Sequence, residues 1–129
     1  MSKPEPANDA TQVRTTTDAS QKIPRRYRAS IVILRGHAEG MEYPLSGATT
    51  VIGRDKTADI VVKDSLVSRQ HVAIMYMDGG FVLKDLGSTN GTVIHGVRVK
   101  EAFLNQSTEF QMGKTRIVFS PMRGQMEFA

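Results

Sequence analysis

The chain has 129 residues, of which 40% are hydrophobic and 23% are charged, and it contains no cysteine. This length suits one domain with its own core, and the composition is that of an ordinary globular protein. The lack of cysteine excludes disulfides, thiolate metal sites and a cysteine nucleophile. The sequence has neither an apolar run long enough to span a membrane nor an apolar signal-peptide core, so we expect a cytoplasmic protein.

The net charge of +4 is unevenly distributed along the chain. Residues 1–28 carry six basic and three acidic side chains, whereas the remaining 101 residues carry eleven and ten. The basic excess therefore belongs to the N-terminal segment and not to a face of the folded part. Nucleic acid and acidic membranes favour a basic surface with interleaved aromatic residues, and the chain has only eight aromatic residues, so we expect neither partner.

The first 26 residues are rich in Pro, Ala, Thr, Asn, Asp and Gln and lack apolar periodicity, which predicts a disordered tail over 1–26. A folded domain is expected over 27–122, followed by a C-terminal extension over 123–129. Short runs rich in Val, Ile, Thr and Phe predict ten strands in the domain, and no stretch carries a sustained helical pattern. The predicted strands are Ala29–Leu34, Met41–Leu45, Thr49–Gly53, Asp59–Val62, His71–Met77, Phe81–Asp85, Thr92–His95, Val97–Val99, Thr108–Met112 and Lys114–Ser120.

Glycine-containing turns separate several of these runs. Asp78-Gly79-Gly80 and His95-Gly96 are typical of tight hairpins, and Met112-Gly113-Lys114 separates the last two strands. Short strands with a turn about every eight to twelve residues favour an all-β fold, and we predict a two-sheet antiparallel β-sandwich of about 10–11 strands. The loops of such a fold cluster at its ends, where binding residues are usually found.

Three of the loops hold more polar side chains than turns require. They supply two guanidinium groups, three hydroxyl groups and a carboxamide, which suit a dianionic phosphate and the peptide backbone next to it. The first loop covers residues 52–60, the second 64–71 and the third 85–92. The candidate binding residues are Arg54 in the first loop, Ser68 and Arg69 in the second, and Ser88, Thr89 and Asn90 in the third.

The motifs Gly53-Arg54, Ser68-Arg69-Gln70-His71 and Gly87-Ser88-Thr89-Asn90-Gly91-Thr92 occur in the order that is the signature of forkhead-associated (FHA) domains. The chain resembles that family from about Tyr27 to Ser120. The resemblance implies a β-sandwich that binds phosphothreonine-containing proteins in Ser/Thr kinase signalling, with no catalysis and no cofactor. The expected partners include a Ser/Thr kinase or its substrates.

The resemblance also implies a role for each motif residue. Arg54 and Ser68 would contact the phosphate, and Arg69 would add a second positive contact. Thr89 would line the loop beside the phosphothreonine, and Asn90 would hydrogen-bond the bound peptide's backbone. The implied structural residues are Gly53, which lets the first loop turn, and His71, whose buried ring ties the loops together.

Other interpretations of these residues remain open. Asn90-Gly91 is also typical of a plain type I′ turn. Ser68 and His71 with Asp64 or Asp85 nearby would suit a hydrolase triad, but no Gly-x-Ser-x-Gly motif is present. The main alternative is a phosphate-independent scaffold whose partners bind the sheet faces. Three scattered histidines with no carboxylate at ligand spacing predict no metal site.

The N-terminal tail contains candidate phosphorylation sites at Thr11, Thr15, Thr16 and Thr17, which precede Asp18. A threonine-bearing tail before a single domain is similar in layout to small bacterial FHA regulators. A flexible segment from Thr11 to Arg26 has an r.m.s. reach of roughly 20 Å. The sequence therefore predicts that a phosphorylated tail can occupy the domain's own site.

Overall fold

The computed structural model describes residues 28–121, and this part of the chain forms eleven β-strands. The predicted tail over 1–26 with its four candidate threonines, the predicted boundaries at 27 and 122, and the extension over 123–129 lie outside the described residues. The strands are β1 (Ala29–Arg35), β2 (Glu42–Leu45), β3 (Thr49–Gly53), β4 (Ile60–Val61), β5 (Val72–Met77), β6 (Gly80–Asp85), β7 (Thr92–Ile94), β8 (Val97–Val99), β9 (Glu101–Phe103), β10 (Thr108–Met112) and β11 (Thr115–Pro121). The segment from 28 to 121 contains no helix that is long and apolar enough to cross a membrane.

The strands form two sheets, which confirms the predicted all-β sandwich. The smaller sheet has the order β9-β6-β5-β3-β4, and the larger has the order β2-β1-β11-β10-β7-β8. One pairing departs from the antiparallel prediction, because β3 and β4 are parallel and Ile52 lies opposite Ile60. Residues 54–59 loop back beside β3 before β4 begins, so both strands run towards the same end of the domain.

The core lies between the two sheets and follows the alternation of the strands. In β11, Thr115, Ile117 and Phe119 are buried whereas Arg116 is exposed, as the period of two in that segment predicts. The Phe81 ring packs against Phe119 across the core, with centroids 5.2 Å apart. Each large apolar side chain that is fully buried stabilises the fold by about 1.5–3 kcal/mol. The largest apolar residues in the core are Phe110, Phe119, Ile31, Ile33, Ile52, Ile74, Leu83, Leu104, Met112 and Ile117.

Two of the predicted hairpin turns have the expected backbone geometry. Asp78 and Gly79 have φ angles of 52° and 82°, and His95 and Gly96 have φ angles of 51° and 77°. Positive φ at both central residues is the type I′ geometry, whose twist matches that of the flanking strands. These turns therefore fix the registers of β5 with β6 and of β7 with β8.

Candidate functional site

Gly53 allows the first and second loops to touch through their backbones. A Cβ atom at this position would lie 2.0 Å from the carbonyl oxygen of Arg69 and 2.9 Å from the Cα of Gln70. The same approach lets the N–H of Arg54 donate to the oxygen of Ser68 at 2.9 Å, and that of Asp55 donate to the oxygen of Arg69 at 3.1 Å. The glycine is thus required by close backbone contact and not by a positive φ, which it does not have.

His71 joins the second loop to the third. Its side chain is completely buried. Nδ1 accepts a hydrogen bond from the backbone N–H of Ser68 at 3.0 Å, and Nε2 lies 2.9 Å from the oxygen of Gly91. Because Nδ1 accepts, the proton of the neutral ring is on Nε2 and is donated to Gly91. The imidazole therefore acts as a buried link between the loops.

Asp85 organises the third loop from its base at the end of β6. One carboxylate oxygen accepts from the N–H groups of Gly87 and Ser88, both at 2.8 Å. The other accepts from the hydroxyl groups of Ser88 and Thr92, both at 2.7 Å. Partial burial by itself raises the pKa of Asp85, but these hydrogen bonds outweigh it and hold the pKa below its ordinary value. Asp85 is therefore an anionic acceptor whose bonds determine the shape of the loop.

Asp64 has a similar role at the start of the second loop. Its carboxylate accepts from the N–H of Leu66 at 2.9 Å, and from the N–H of Lys114 and the hydroxyl of Thr115, both at 2.8 Å. Burial raises the pKa of Asp64, and these hydrogen bonds more than offset that effect and lower it. The second loop is thereby attached to the turn between β10 and β11, which lies at the same end of the domain.

Arg54 and Ser68 keep donors that no described residue uses. Arg54 Nε donates to the oxygen of Val67 at 2.8 Å, which fixes the guanidinium beside Ser68. The terminal amino groups of Arg54 have no hydrogen bond or ion pair within residues 28–121. The Ser68 hydroxyl accepts from the N–H of Thr89 at 3.0 Å, and its own hydrogen has no acceptor in that range. These adjacent donors suit a ligand with several acceptor oxygens.

The other candidates from the sequence lie around this pair. Arg69 is exposed and lies near Asp55, whose pKa is lowered mainly by hydrogen bonds from the side chain and backbone of Thr57 and in smaller part by the Arg69 charge. Thr89 is exposed next to the Ser68 hydroxyl. Asn90 is also exposed, and its Nδ2 donates to the oxygen of Leu66 at 2.9 Å, so its Oδ1 remains available to an N–H donor. Arg69, Thr89 and Asn90 thus border the free donors of Arg54 and Ser68.

Ser88 differs from the other candidates. It is buried, its hydroxyl donates to Asp85, and the same oxygen accepts from the N–H of Gly91 at 2.9 Å. The expectation that Ser88 faces a ligand is therefore corrected to a supporting role inside the third loop. The type I′ interpretation of Asn90-Gly91 is also wrong, because Gly91 has a positive φ of 88° and Asn90 does not.

The hydrolase interpretation finds no support in the geometry. A general base must lie within hydrogen-bond reach of the nucleophile. Both ring nitrogens of His71 are occupied by backbone groups, and the Ser68 hydroxyl is paired with the N–H of Thr89. Neither residue is therefore arranged for nucleophilic attack.

Sequence reasoning missed Arg98, an exposed residue on β8. A Cβ atom on Gly91 would lie 2.4 Å from Arg98 Nε and 2.9 Å from its Cζ, so the guanidinium lies directly against the third loop. Asn90 lies in the third loop and Arg98, eight positions later, lies on β8, so no local pattern connects the two residues. Only the pairing of β7 with β8 brings them together.

Comparison with known proteins connects this geometry to a family. Residues 32–123 match the family model described as the cytoplasmic domain of an inner membrane component of type III secretion systems. The "oxoglutarate dehydrogenase inhibitor" of Corynebacterium diphtheriae is 35% identical over 104 residues, which are 81% of this chain and 73% of that protein.

Two solved structures share both the fold and about a third of the aligned residues with this chain. The FHA domain of CT664 from Chlamydia trachomatis has a TM-score of 0.67 and 30% identity, and the match covers 72% of this chain and 96% of that one. Mycobacterium tuberculosis EmbR, solved in complex with a low-affinity phosphopeptide, has a TM-score of 0.65 and 31% identity over 72% of this chain but only 24% of its own length. The motif order, the two-sheet fold and these matches show that the chain belongs to the family that the matching model describes, and that its domain is a forkhead-associated (FHA) domain.

Proposed function

We propose that this domain binds phosphothreonine-containing segments of proteins at the loop end of the sandwich, as a regulatory module in Ser/Thr kinase signalling and without catalysis. The observation that carries the proposal is the pair of free donors at Arg54 and Ser68, held side by side on a rigid frame. A phosphothreonine carries about −1.5 to −2 charges at pH 7 and three acceptor oxygens. Each charge-assisted hydrogen bond to it contributes about 1.5–3 kcal/mol.

Several neighbouring residues suit the rest of such a ligand. Arg69 adds positive charge that Asp55 only partly offsets. The free Oδ1 of Asn90 can accept from a peptide N–H, and Thr89 borders the place of the phosphorylated residue. A complex of EmbR with a phosphopeptide supports this assignment by analogy within the shared fold.

The test is a binding titration with matched peptides. We expect the protein to bind peptides that contain phosphothreonine and not their unphosphorylated counterparts. Arg54→Ala should weaken this binding at least tenfold, because it removes two or more charge-assisted bonds. Lys84→Ala is the matched control, since Lys84 is exposed on β6 and has no ion pair within the described residues. Equal binding of both peptide sets would instead favour a phosphate-independent scaffold that uses the sheet faces.

The same site is proposed to accept the chain's own tail after phosphorylation at Thr11, Thr15, Thr16 or Thr17. The C-terminal end of β1 leads to His37, whose Nδ1 accepts from the N–H of Lys63, the residue before the second loop, at 3.4 Å. The N-terminal end of β1, at Ala29, therefore lies at the end of the domain opposite the loops. Seven extended residues span about 20 Å. A flexible chain of the length that separates these threonines from Ala29 has an r.m.s. end-to-end distance of roughly 17–25 Å, which is comparable with that span.

Self-binding has its own test. Stoichiometric phosphorylation of the tail should weaken the binding of a phosphothreonine peptide in trans, because the two ligands compete at high effective concentration of the tail. Replacing all four threonines by alanine should remove that effect and leave the affinity of the unphosphorylated protein unchanged. An unchanged affinity after phosphorylation would contradict self-binding without contradicting phosphothreonine recognition.

A further inference from the structure

We propose that Asn90-Gly91 in the third loop is a deamidation site, which the folded loop keeps unreactive and which reacts when the loop opens. The chain contains three asparagines, at positions 8, 90 and 105, and of these only Asn90 precedes a glycine. A glycine has no Cβ beside its backbone nitrogen, so it hinders attack on the preceding side chain least. Asn90 is also exposed, so water reaches its carboxamide.

The reaction needs no partner other than water. The backbone nitrogen of Gly91 loses its hydrogen and bonds to Cγ of Asn90, while the Cγ–Nδ2 bond breaks and ammonia leaves with that hydrogen. The product is a cyclic succinimide. Water then adds to either imide carbonyl, opens the ring and leaves aspartate or isoaspartate at position 90. No electrons are transferred, so neither an oxidant nor a reductant is required.

The contacts of Gly91 oppose this reaction in the folded loop. Gly91 is buried, and its N–H donates to the Ser88 hydroxyl at 2.9 Å. A hydrogen bond from the intact N–H disfavours the loss of that hydrogen. The carbonyl oxygen of Gly91 lies 2.9 Å from His71 Nε2, and the Arg98 guanidinium lies where a Cβ atom on Gly91 would be. The attacking nitrogen is therefore fixed in place and shielded.

The carboxamide of Asn90 is held as well. Its Nδ2 donates to the oxygen of Leu66 at 2.9 Å, which directs the group towards the second loop. Cyclisation turns the carboxamide onto the nitrogen of Gly91, and this movement breaks the bond to Leu66. Because the reactive conformation lacks both this bond and the bond from Gly91 to Ser88, the folded protein should populate it only when the loop opens locally.

Deamidation would detach the third loop from the second. A carboxylate at position 90 has no hydrogen to donate to the oxygen of Leu66, and the two oxygens repel each other. Isoaspartate also adds a methylene group to the backbone next to the bond from Gly91 to Ser88. If the domain binds phosphothreonine as proposed, the new negative charge lies next to Thr89, whose N–H donates to the Ser68 hydroxyl, and it would weaken that binding.

The experiment follows deamidation of the full chain in mildly alkaline buffer, by mass spectrometry of the tryptic peptide 85–98, whose only asparagine is Asn90. We expect the folded protein to react at least about tenfold more slowly than the same chain unfolded in urea. Ser88→Ala removes the acceptor of the Gly91 N–H and should speed the reaction of the folded protein about three- to tenfold. Ile74→Val, in the core and away from the loop, is the matched control and should change the rate by less than about twofold.

The possible results decide the inference without a phosphopeptide, so they are separate from the test of the proposed function. Equal rates in the folded and unfolded chain would overturn it, as would a Ser88→Ala variant that reacts no faster than the wild type. Equal acceleration by Ile74→Val would also overturn it, because global unfolding and not opening of the third loop would then expose the site. The effect on the loop has its own measurement: where the wild type binds a phosphothreonine peptide, Asn90→Asp should weaken the binding about threefold or more, and equal affinities would contradict that effect.

Discussion

Among the glycines of residues 28–121 that have no positive φ, Gly53 is the one whose replacement by alanine should lower the free energy of unfolding most. The new Cβ would lie 2.0 Å from the carbonyl oxygen of Arg69. An unstrained contact of this kind is about 3.3 Å, so the backbones of the first and second loops would have to separate by roughly 1 Å. Both partners are backbone, so no side chain can rotate away to relieve the contact.

The expected cost follows from what that separation breaks. Insertion of a methyl group into close-packed structure costs about 1–3 kcal/mol. The two backbone hydrogen bonds that join the loops, from Arg54 to Ser68 and from Asp55 to Arg69, would stretch from 2.9 and 3.1 Å to about 4 Å. Each of them contributes about 0.5–1.5 kcal/mol net. Gly53→Ala should therefore lower the free energy of unfolding by about 2–6 kcal/mol and displace the Ser68 hydroxyl.

Urea denaturation followed by far-ultraviolet circular dichroism measures this change, and Gly47→Ala is the matched control. Gly47 has no positive φ, and a Cβ there would approach nothing closer than 3.7 Å. That substitution should leave the free energy of unfolding within about 1 kcal/mol of the wild type, with stabilisation favoured because the unfolded chain loses freedom. If Gly53→Ala were also within 1 kcal/mol of the wild type, the two loops would not be held by close backbone approach.

Three further substitutions test the frame of the site. His71→Ala should lower the free energy of unfolding, measured by urea denaturation, by about 3–4 kcal/mol, because it opens a cavity and leaves the N–H of Ser68 and the oxygen of Gly91 unpaired. The control His37→Ala should lower it by less than about 0.5 kcal/mol. Ser88→Ala should lower the free energy of unfolding by about 1–3 kcal/mol, and it should weaken phosphopeptide binding far less than Arg54→Ala does. An equal loss of affinity in the two variants would show that Ser88 faces the ligand. Asp85→Asn should also cost about 1–3 kcal/mol at pH 7, because the amide offers one acceptor oxygen to four donors. The pKa of Asp85 is lowered in the folded state, so its carboxylate stabilises the fold above the unfolded pKa near 3.8, and this stabilisation is lost as the pH falls through the folded pKa. The difference in free energy of unfolding between the wild type and Asp85→Asn should therefore be constant near neutral pH and should decrease below about pH 4.

The sandwich was predictable because its strands carry their own signals. The alternation in Thr115–Phe119 and the positive-φ turns at Asp78-Gly79 and His95-Gly96 depend on neighbouring residues alone. β9 was missed because Glu101–Phe103 has only three residues, and its pairing with Val82–Lys84 of β6 comes from tertiary contact. The parallel pairing of β3 and β4 was missed for the same reason, since the return of residues 54–59 depends on contacts with the second loop.

The candidate site was predictable only in part. The order of the three motifs identified the loops. It did not distinguish hydroxyl groups that face a ligand from those that support the loop, and it did not identify Asp85 as the acceptor that organises the third loop. A local signal for Asp85 did exist, because an aspartate that precedes a Gly-Ser pair can accept from the N–H groups two and three residues later. Arg98 had no such signal, since its contact with Gly91 depends on how two strands pair.

The distribution of charge at the loop end explains how a nearly neutral domain can present an anion-binding site. The loop carboxylates of Asp85 and Asp64 are turned inward, and their oxygens are occupied by backbone N–H and hydroxyl donors. The guanidinium groups of Arg54 and Arg98 face outward and have unused donors within the described residues. Because electrostatic interactions in 0.15 M salt decay over about 8 Å, this local separation outweighs the net charge of the domain as a whole. The proposed phosphate binding therefore does not depend on the basic excess of the N-terminal 28 residues, and a tail that carries a phosphate would be attracted by the Arg54 guanidinium rather than by the overall charge.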